Sequence, residues 1–189
     1  NERVDGNFPA HAPDSSKIEN LTVLRETVLR EKADLGLAFD GDSDRLGVID
    51  AQGAFLETDR LLQIFAEEIL KTHAGAVFIA DIKSSKTFAS EIRRMGGQPL
   101  IWRTGHSFIK TKMKETNSPL GGEMSGHICF ADKYYGFDDA LYSAVRLLDI
   151  AAHRQNESLQ DRIGRIPKTF ASPEIQIACP DEEKFQCVE

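Results

Sequence analysis

Short apolar runs alternate with amphipathic segments along most of this chain, and the alternation limits the folds that it can adopt. The apolar runs predict strands over 35–39, 46–49, 76–82 and 99–103, with a brief strand before Gly121. The amphipathic segments predict helices over 17–33, 58–73, 84–95, 107–115 and 138–153. Strands that alternate with helices indicate a mixed α/β fold with mainly parallel sheets covered by helices.

Local signals add detail to these helices. Thr58 is a candidate N-cap for the second helix, and Ser84 and Ser85 are candidate caps for the third. Apolar spacing predicts which side chains of two helices lie in the core: Leu61, Leu62, Phe65 and Ile69 in the second, and Tyr142, Val145, Leu148 and Ile150 in the last.

Composition excludes several classes of protein. The 189 residues, 41% of them hydrophobic, can bury the core of one or two domains. A formal net charge of −7 is opposite in sign to a surface that binds nucleic acid. No apolar stretch reaches about 18 residues, and the polar segment 1–6 lacks the apolar core of a signal peptide, so no membrane partner is expected. Cys129, Cys179 and Cys187 lack the spacing of a zinc site and predict reduced thiols in the cytoplasm.

An acidic loop, residues 40–45, lies between the first two predicted strands and carries Asp40, Asp42 and Asp44 at a spacing of two. In an extended segment, side chains at this spacing point to the same side. Two carboxylates in close contact repel by about 1 kcal/mol in water and about 4 at a dielectric of 20, so a bound cation would explain the cluster. Oxygen ligands favour Mg²⁺, Mn²⁺ or Ca²⁺. The alternative is a solvated turn in which aspartates accept bonds from backbone N–H groups.

The acidic loop does not fit a calcium-binding EF-hand. That loop requires Gly at its sixth position and Glu at its twelfth, where this chain has Arg45 and Ala51. Three protein ligands also leave room for a phosphate oxygen, as in many magnesium sites of phosphoryl transfer.

A glycine-rich loop, residues 121–127, combines an acceptor in Glu123, a hydroxyl in Ser125 and an imidazole in His127. A carboxylate can accept bonds from two neighbouring hydroxyls, so the loop suits a polyol ligand. The alternative is an ordinary glycine-rich turn with surface polar residues.

Two further groups follow predicted strands. Lys83 comes after the strand 76–82, and His106 comes after the strand 99–103, close to Arg103. Ligands of open α/β sheets bind at the carboxyl ends of strands, so Lys83 and His106 lie where a site is expected. For Lys83 alone, a solvated loop lysine is the alternative.

With these residues assembled, the chain resembles the α-D-phosphohexomutase family, and within it the phosphomannomutase/phosphoglucomutase branch. Residues 40–45 resemble the metal-binding loop of that family, and residues 122–127 resemble its sugar-recognition loop. Residues 5–9 and 104–107 also match, so the resemblance covers nearly the whole chain. Met124 resembles the residue usual at this place in the mannose/glucose branch, whereas the glucosamine-phosphate mutases usually carry Gln there.

The resemblance implies an enzyme that interconverts hexose 1-phosphate and hexose 6-phosphate, of mannose and/or glucose, through a phosphoserine and a hexose 1,6-bisphosphate, with the help of Mg²⁺. In that scheme the metal ligands are Asp40, Asp42 and Asp44, and Arg45 contacts the phosphoserine. Glu123 and Ser125 bind sugar hydroxyls. Lys83, His106 and His127 lie near the reacting hydroxyl for proton transfer or charge stabilisation, and Lys83 and His106 also contact the substrate.

The chain departs from the family by omission, since it contains neither a Ser-His-Asn-Pro run for the phosphoserine nor an Arg-x-Ser-Gly-Thr run for phosphate binding. Turn-rich segments at 53–57 and 171–174 suggest boundaries. The resemblance assigns residues 1–54 to the end of the second domain, 55–172 to the third, and 173–189 to the start of the fourth. The chain alone is therefore predicted to be inactive without domains 1 and 4.

Two other readings remain open at the level of sequence. A Mg²⁺-dependent phosphatase of the haloacid dehalogenase type also places paired aspartates after a strand, and there the first, here Asp40, is phosphorylated. That reading leaves the glycine-rich loop without a role. The other reading is a non-catalytic module that binds a metal ion or a sugar phosphate.

Overall fold

The computed structural model describes residues 5–153, 157–169, 179–180 and 182–183. The segment 173–189, which the resemblance assigns to the start of the fourth domain and whose pattern suggests a strand and the start of a helix, falls almost entirely outside these residues. A short 3-10 helix, Ile18–Leu21, opens the regular structure. The helices that follow are α1 (Thr22–Glu31), α2 (Thr58–Leu70), α3 (Lys86–Arg94), α4 (His106–Thr116), α5 (Ala140–Ala152) and α6 (Leu159–Arg165). The strands are β1 (Leu35–Phe39), β2 (Leu46–Asp50), β3 (Val77–Asp81), β4 (Gln98–Trp102), β5 (Leu120–Gly122) and β6 (Ile128–Phe130).

The first two strands form an antiparallel hairpin whose tip is the acidic loop. Leu35 pairs with Asp50 at one end of the hairpin, and Phe39 pairs with Leu46 at the other. Helix α1 packs on this hairpin through Leu24 and Val28, because its apolar side chains share one helical face. The packing leaves the aspartates at the free end of β1.

The other four strands form one sheet in the order β4-β3-β5-β6. Strand β3 is parallel to β4 on one side and to β5 on the other, and β5 is antiparallel to β6. The predicted α/β class, mixed and mainly parallel, is confirmed. Since β3, β4 and β5 run in the same direction, the loops that follow them lie at one edge of the sheet.

The main core lies between this sheet and helix α2. All four predicted core residues of α2 are buried: Leu61, Leu62, Phe65 and Ile69. The ring of Phe65 meets that of Phe130 edge to face, with centroids 5.0 Å apart. The packing holds β5 and β6, and with them the glycine-rich loop between these strands, against helix α2.

Of the predicted helix caps, Ser85 is confirmed in position and Thr58 is wrong. Residue Glu57 precedes α2, and Thr58 is already its first helical residue, with its hydroxyl donating to the carbonyl of Met124 at 3.4 Å. Ser85 does stand at the N-cap of α3, but its hydroxyl and backbone N–H both donate to the carboxylate of Asp59. In both cases the side chain bonds to a residue distant in sequence and does not cap the N-terminus of its own helix.

The prediction for helix α5 was also partly wrong. Ile150 is buried and Tyr142 is half-buried, but Val145 and Leu148 are 61% and 46% exposed. The sequence prediction also missed β6 and α6. In the described part of the chain, no helix has the length and apolar character needed to cross a bilayer.

Candidate functional site

The acidic loop and the glycine-rich loop are neighbours because their backbones are bonded. Arg45 and His127 form an antiparallel bridge, and the N–H of Leu46 donates to the carbonyl of Gly126 at 3.1 Å. Gly126 has a φ of 103°, and a Cβ there would lie 3.2 Å from the nitrogen of Leu46. Glycine therefore permits the close approach, and two loops that are far apart in sequence lie side by side.

Asp40 directly follows strand β1 and holds the acidic loop in shape. Its Oδ1 accepts the N–H groups of Asp44 and Arg45 at 3.1 Å each, and its Oδ2 accepts Nε of Arg45 at 2.6 Å. Burial alone raises the pKa of Asp40, but these bonds outweigh it and hold the pKa below its ordinary value. Asp40 is therefore an anion at neutral pH.

Asp44 differs from Asp40 in its surroundings. Burial raises the pKa of Asp44, and the charges of Asp40, Asp42 and Asp138 add to the increase against the opposing effect of His127. Its Oδ1 is buried and accepts no well-aligned hydrogen bond from the residues that the structure describes, although Nε2 of His127 lies 3.3 Å away. The carboxylates of Asp40, Asp42 and Asp44 each place an oxygen within 4.8 Å of the others. An orphaned oxygen within a triple carboxylate cluster fits a hard divalent cation.

Arg45 is the cation that the acidic loop itself supplies. Besides Asp40, its guanidinium contacts Asp14, with Nη1 3.5 Å from Oδ1. Burial alone lowers the pKa of Arg45, but these carboxylates raise it above its ordinary value. Its side chain is 29% exposed, so the guanidinium can also meet a ligand. The sequence analysis missed Asp14, which no local pattern connects to Arg45.

Glu123 is buried at the start of the glycine-rich loop. One of its oxygens accepts the N–H of Gly105, and the other lies 3.4 Å from the hydroxyl of Ser125 and 3.2 Å from Nδ1 of His127. Burial alone raises the pKa of Glu123, but the bonds from His127 and Gly105 outweigh it and lower the pKa. Glu123 is a fixed anion with a hydroxyl and an imidazole beside it.

His127 connects the two loops. Its Nδ1 lies 2.9 Å from the hydroxyl of Ser125 and faces Glu123, whereas its Nε2 lies 3.3 Å from Oδ1 of Asp44. Burial alone lowers the pKa of His127, but the bond to Glu123 and the charges of Asp44 and Asp138 raise it above its ordinary value. The imidazole can therefore hold a proton near neutral pH.

His106 stacks on His127, with ring centroids 5.1 Å apart, and is held by two residues that the sequence analysis missed. Its Nδ1 lies 2.6 Å from Oδ2 of Asp138, and Nζ of Lys110 donates to Oδ1 of Asp138 at 2.8 Å. Lys110 lies one helical turn after His106, a spacing that could have signalled it. Donor atoms of Asp44, His106, His127 and Asp138 all lie within 4.8 Å of one another.

Lys83 lies in the turn that follows β3, where the sequence predicted it, and is exposed. Its charge acts on the buried carboxylate of Asp81. Arg103 is exposed after β4 and places its guanidinium 3.5 Å from the ring centre of Phe108. Of the residues predicted for the site, Asp42 and Lys83 are thus the most open to solvent, together with the half-exposed ring of His106.

These features define an α/β protein whose site gathers carboxylates, imidazoles and an arginine where three strands of one sheet and the tip of a hairpin meet. Comparison with known proteins gives the family. Residues 57–170 match the model of phosphoglucomutase/phosphomannomutase α/β/α domain III, and residues 1–53 match that of domain II. The chain belongs to the phosphoglucomutase/phosphomannomutase family.

Individual relatives agree with this family. The chain is 47% identical over 186 residues to a phosphomannomutase/phosphoglucomutase of Pseudomonas aeruginosa, which covers 98% of this chain and 40% of that protein. It is 44% identical over 178 residues to a phosphoglucomutase of Neisseria gonorrhoeae, covering 94% of this chain and 38% of that protein. A crystal structure of a phosphoglucomutase/phosphomannomutase family protein from Burkholderia thailandensis superposes with a TM-score of 0.84 at 45% identity, over 90% of this chain and 37% of that one. The chain thus spans about 40% of the length of the P. aeruginosa relative.

Proposed function

We propose that this chain is the central part of a mutase that interconverts hexose 1-phosphate and hexose 6-phosphate, of mannose and/or glucose. The reaction would pass through a phosphoserine and a hexose 1,6-bisphosphate. The observation that carries the proposal is the position of His127, whose two ring nitrogens face Glu123 and Asp44. One imidazole therefore links a polyol-binding carboxylate to a cation-binding one.

The metal ion in this proposal is Mg²⁺, held by Asp40, Asp42 and Asp44. The oxygen-only donor set and the orphaned Oδ1 of Asp44 support this choice. Asp40 is engaged at both oxygens, but each carboxylate oxygen has a second lone pair that can meet a cation. When bound, Mg²⁺ supplies positive charge against the negative oxygens of a phosphoryl group.

Arg45 supplies a second positive charge beside the same aspartates. Its Nε is held by Asp40 at 2.6 Å, which fixes the plane of the guanidinium. Its remaining N–H groups can donate to the oxygens of the phosphoserine in the proposed reaction. Phosphoryl transfer depends mostly on such positioning and charge, because the protein has little covalent chemistry to perform.

Glu123 and Ser125 bind the hydroxyls of the hexose in this proposal, and Lys83 and His106 contact its phosphate or reacting oxygen. The low pKa of Glu123 keeps it an acceptor for hydroxyl donors. His127 is the proton donor and acceptor for the reacting hydroxyl, since neighbouring carboxylates favour its protonated form. His106, oriented by Asp138, provides a second imidazole close to the first.

The proposal includes a division of the chain into residues 1–54, 55–172 and 173–189, as parts of domains 2, 3 and 4. The family models, which match 1–53 and 57–170, support the first boundary. The phosphoserine and the phosphate-binding loop would then belong to domains 1 and 4, which are partners of this chain within a longer protein. The cytoplasmic location is part of the same proposal.

The phosphatase reading is less well supported. A phosphorylated aspartate must present an oxygen to the phosphorus of a substrate, and the side chain of Asp40 is only 1% exposed. Its Oδ1 accepts two backbone N–H groups and its Oδ2 accepts Nε of Arg45, so the remaining lone pairs suit a small cation better than attack on a phosphorus atom.

The test is a coupled assay of the intact protein that contains this chain, with Mg²⁺ and with mannose 1-phosphate, glucose 1-phosphate and glucosamine 1-phosphate. Turnover of the first two supports the proposal, and turnover of none contradicts it. The chain alone is the control and is expected to show no turnover. If the purified chain is active without any parent enzyme, the nucleophile does not lie in domain 1.

A further inference from the structure

Asp81 occupies a special place in the sheet. It is the last residue of β3, which is flanked by β4 and β5. Asp81 is in register with Trp102, the end of β4, and its neighbour Ala80 is in register with Gly122, the end of β5. The side chain of Asp81 can thus reach the loops that follow all three parallel strands.

The carboxylate of Asp81 is bonded to each of these three loops. Its Oδ1 accepts the hydroxyl of Ser84 at 3.1 Å, in the turn after β3, and the N–H of Met124 at 3.3 Å, in the glycine-rich loop. Its Oδ2 accepts the hydroxyl of Thr104 at 3.1 Å, in the segment after β4. Each loop carries or adjoins a residue of the proposed site: Lys83, His106 and Glu123.

A second buried carboxylate supports the same turn. Asp59, on α2, accepts both the N–H and the hydroxyl of Ser85. The turn that carries Lys83 is therefore held at Ser84 by Asp81 and at Ser85 by Asp59. The hydrogen bonds of Asp59 serve that turn, whereas Asp81 also holds the other two loops.

A carboxylate in this position is costly for the fold. Asp81 is fully buried, and burial raises its pKa even though Thr104, Ser84 and Met124 donate to it. A buried charge usually destabilises a protein relative to an apolar side chain of similar volume. A single amide cannot replace it fully, because only a carboxylate accepts bonds at both oxygens.

We propose that Asp81 is a positioning residue that fixes three loops relative to one another, so that Lys83, His106 and Glu123 meet a hexose phosphate as one preformed group. This inference rests on the proposed function for its ligand, but the coupling of the loops does not. Asp81 acts through its bonds to Ser84, Thr104 and Met124 and does not touch the ligand itself.

The experiment is hydrogen exchange by mass spectrometry on the intact protein with Asp81→Asn. Amides of 82–85, 103–106 and 123–126 should exchange faster together, by about tenfold, because each loop loses the same anchor. The matched control is Asp50→Asn. Asp50 is also a buried carboxylate that accepts backbone N–H groups, from Gln52 and Ala54. It lies at the end of the β1–β2 hairpin that is far from the acidic loop. Exchange in this control should rise only near 51–54.

A second readout measures binding by calorimetry. Asp81→Asn should weaken the affinity for glucose 1-phosphate about tenfold and the affinity for Mg²⁺ much less, since the acidic loop is linked to Asp81 only indirectly, through the glycine-rich loop. Faster exchange in one loop only, or unchanged affinity for the sugar phosphate, would overturn the proposal. Faster exchange throughout β3 and the core would show a purely structural role.

Two further variants keep the test valid if Asp81→Asn does not fold. Thr104→Val and Ser84→Ala each remove one bond and leave Asp81 in place. Each should speed exchange in its own loop and, more weakly, in the other two. If the intact wild-type protein binds no hexose phosphate, the proposed function fails, and the exchange experiment still decides whether Asp81 couples the loops.

Discussion

Nδ1 of His106 lies 2.6 Å from Oδ2 of Asp138, so the first residue of helix α4 is joined to the segment that precedes helix α5. Burial alone raises the pKa of Asp138, but the bonds from Lys110 and His106 lower it below its ordinary value. The carboxylate is therefore ionised and orients the ring that stacks on His127.

The first prediction concerns Asp138→Asn. The variant keeps the shape of the side chain but removes the charge that orients His106, so turnover of the intact protein should fall about ten- to a hundredfold, and loss of the ion pair with Lys110 should lower the melting temperature modestly. The matched control is Asp149→Asn, which removes the exposed carboxylate 3.1 Å from Nδ1 of His153. Equal losses in both variants, measured in the coupled assay, would contradict the role of Asp138.

The second prediction separates the two loops of the site. Asp42 is exposed and belongs to the carboxylate cluster, so Asp42→Asn should weaken Mg²⁺ binding about tenfold and change sugar phosphate binding less. Glu123→Gln should weaken sugar phosphate binding and leave Mg²⁺ binding unchanged, because Glu123 lies outside that cluster. Calorimetry on the intact protein measures both affinities. If neither variant changes either affinity, neither loop is a binding site.

The third prediction concerns two glycines. A Cβ on Gly47 would lie 2.3 Å from the backbone oxygen of Ser15, so Gly47→Ala should lower the free energy of unfolding by about 2 to 3 kcal/mol. Gly164, within α6, has no atom within 4 Å of such a Cβ. Gly164→Ala should raise the free energy of unfolding by about 0.5 to 1 kcal/mol. Urea denaturation measures both, and a neutral Gly47→Ala would show that the hairpin can shift away from Ser15.

The fourth prediction concerns the reactivity of Cys129. Burial, and then the charge of Asp138, raise the pKa of this thiol to about 12. Iodoacetamide at pH 8 should therefore not alkylate Cys129 in the native protein, but it should alkylate Cys129 in the unfolded protein. Cys179 is partly exposed and serves as the internal comparison. Peptide mass spectrometry that finds the two thiols modified at equal rates in the native protein would contradict this prediction.

The fifth prediction concerns pH and stability. Burial alone raises the pKa of Glu68, but bonds from Arg162 and Lys71 outweigh it and lower the pKa below the ordinary 4.5. A lowered pKa in the folded state stabilises the protein above the unfolded value, and the gain is lost as pH falls through the folded value. Glu68→Gln should therefore cost about 1 kcal/mol at pH 7 and progressively less below about pH 4.5.

The control for this experiment is Glu31→Gln. Glu31 and its partner Arg30 are both more than 60% exposed, so their ion pair should contribute about 0.5 kcal/mol or less. Denaturation of the wild type and both variants at several pH values gives the result. A difference for Glu68→Gln that persists below pH 3 would show that packing, and not charge, is responsible.

The sequence predicted the order of the elements from α1 to α5, apart from β6, and both loops of the site. These features are local: the apolar period of 58–70, the run of aspartates in 40–45 and the glycines of 121–127 can all be read within a few residues. Local signals failed where a helix has apolar residues on more than one side. In α5, Leu141, Val145 and Leu148 repeat at helical spacing like core residues and yet are exposed.

Tertiary structure alone decided how the site is held together. The bond between His106 and Asp138 joins positions 32 apart, and the bond between Asp81 and Met124 joins positions 43 apart. The bond to Met124 forms because β3 and β5 end at one edge of the sheet. Asp138 reaches His106 because it is bridged to Cys129 in β6, and strand order is set by long-range packing. No pattern within a short stretch of sequence contains that strand order. The sequence therefore shows which residues can bind a metal ion or a sugar, but only the folded chain shows the contacts that position them.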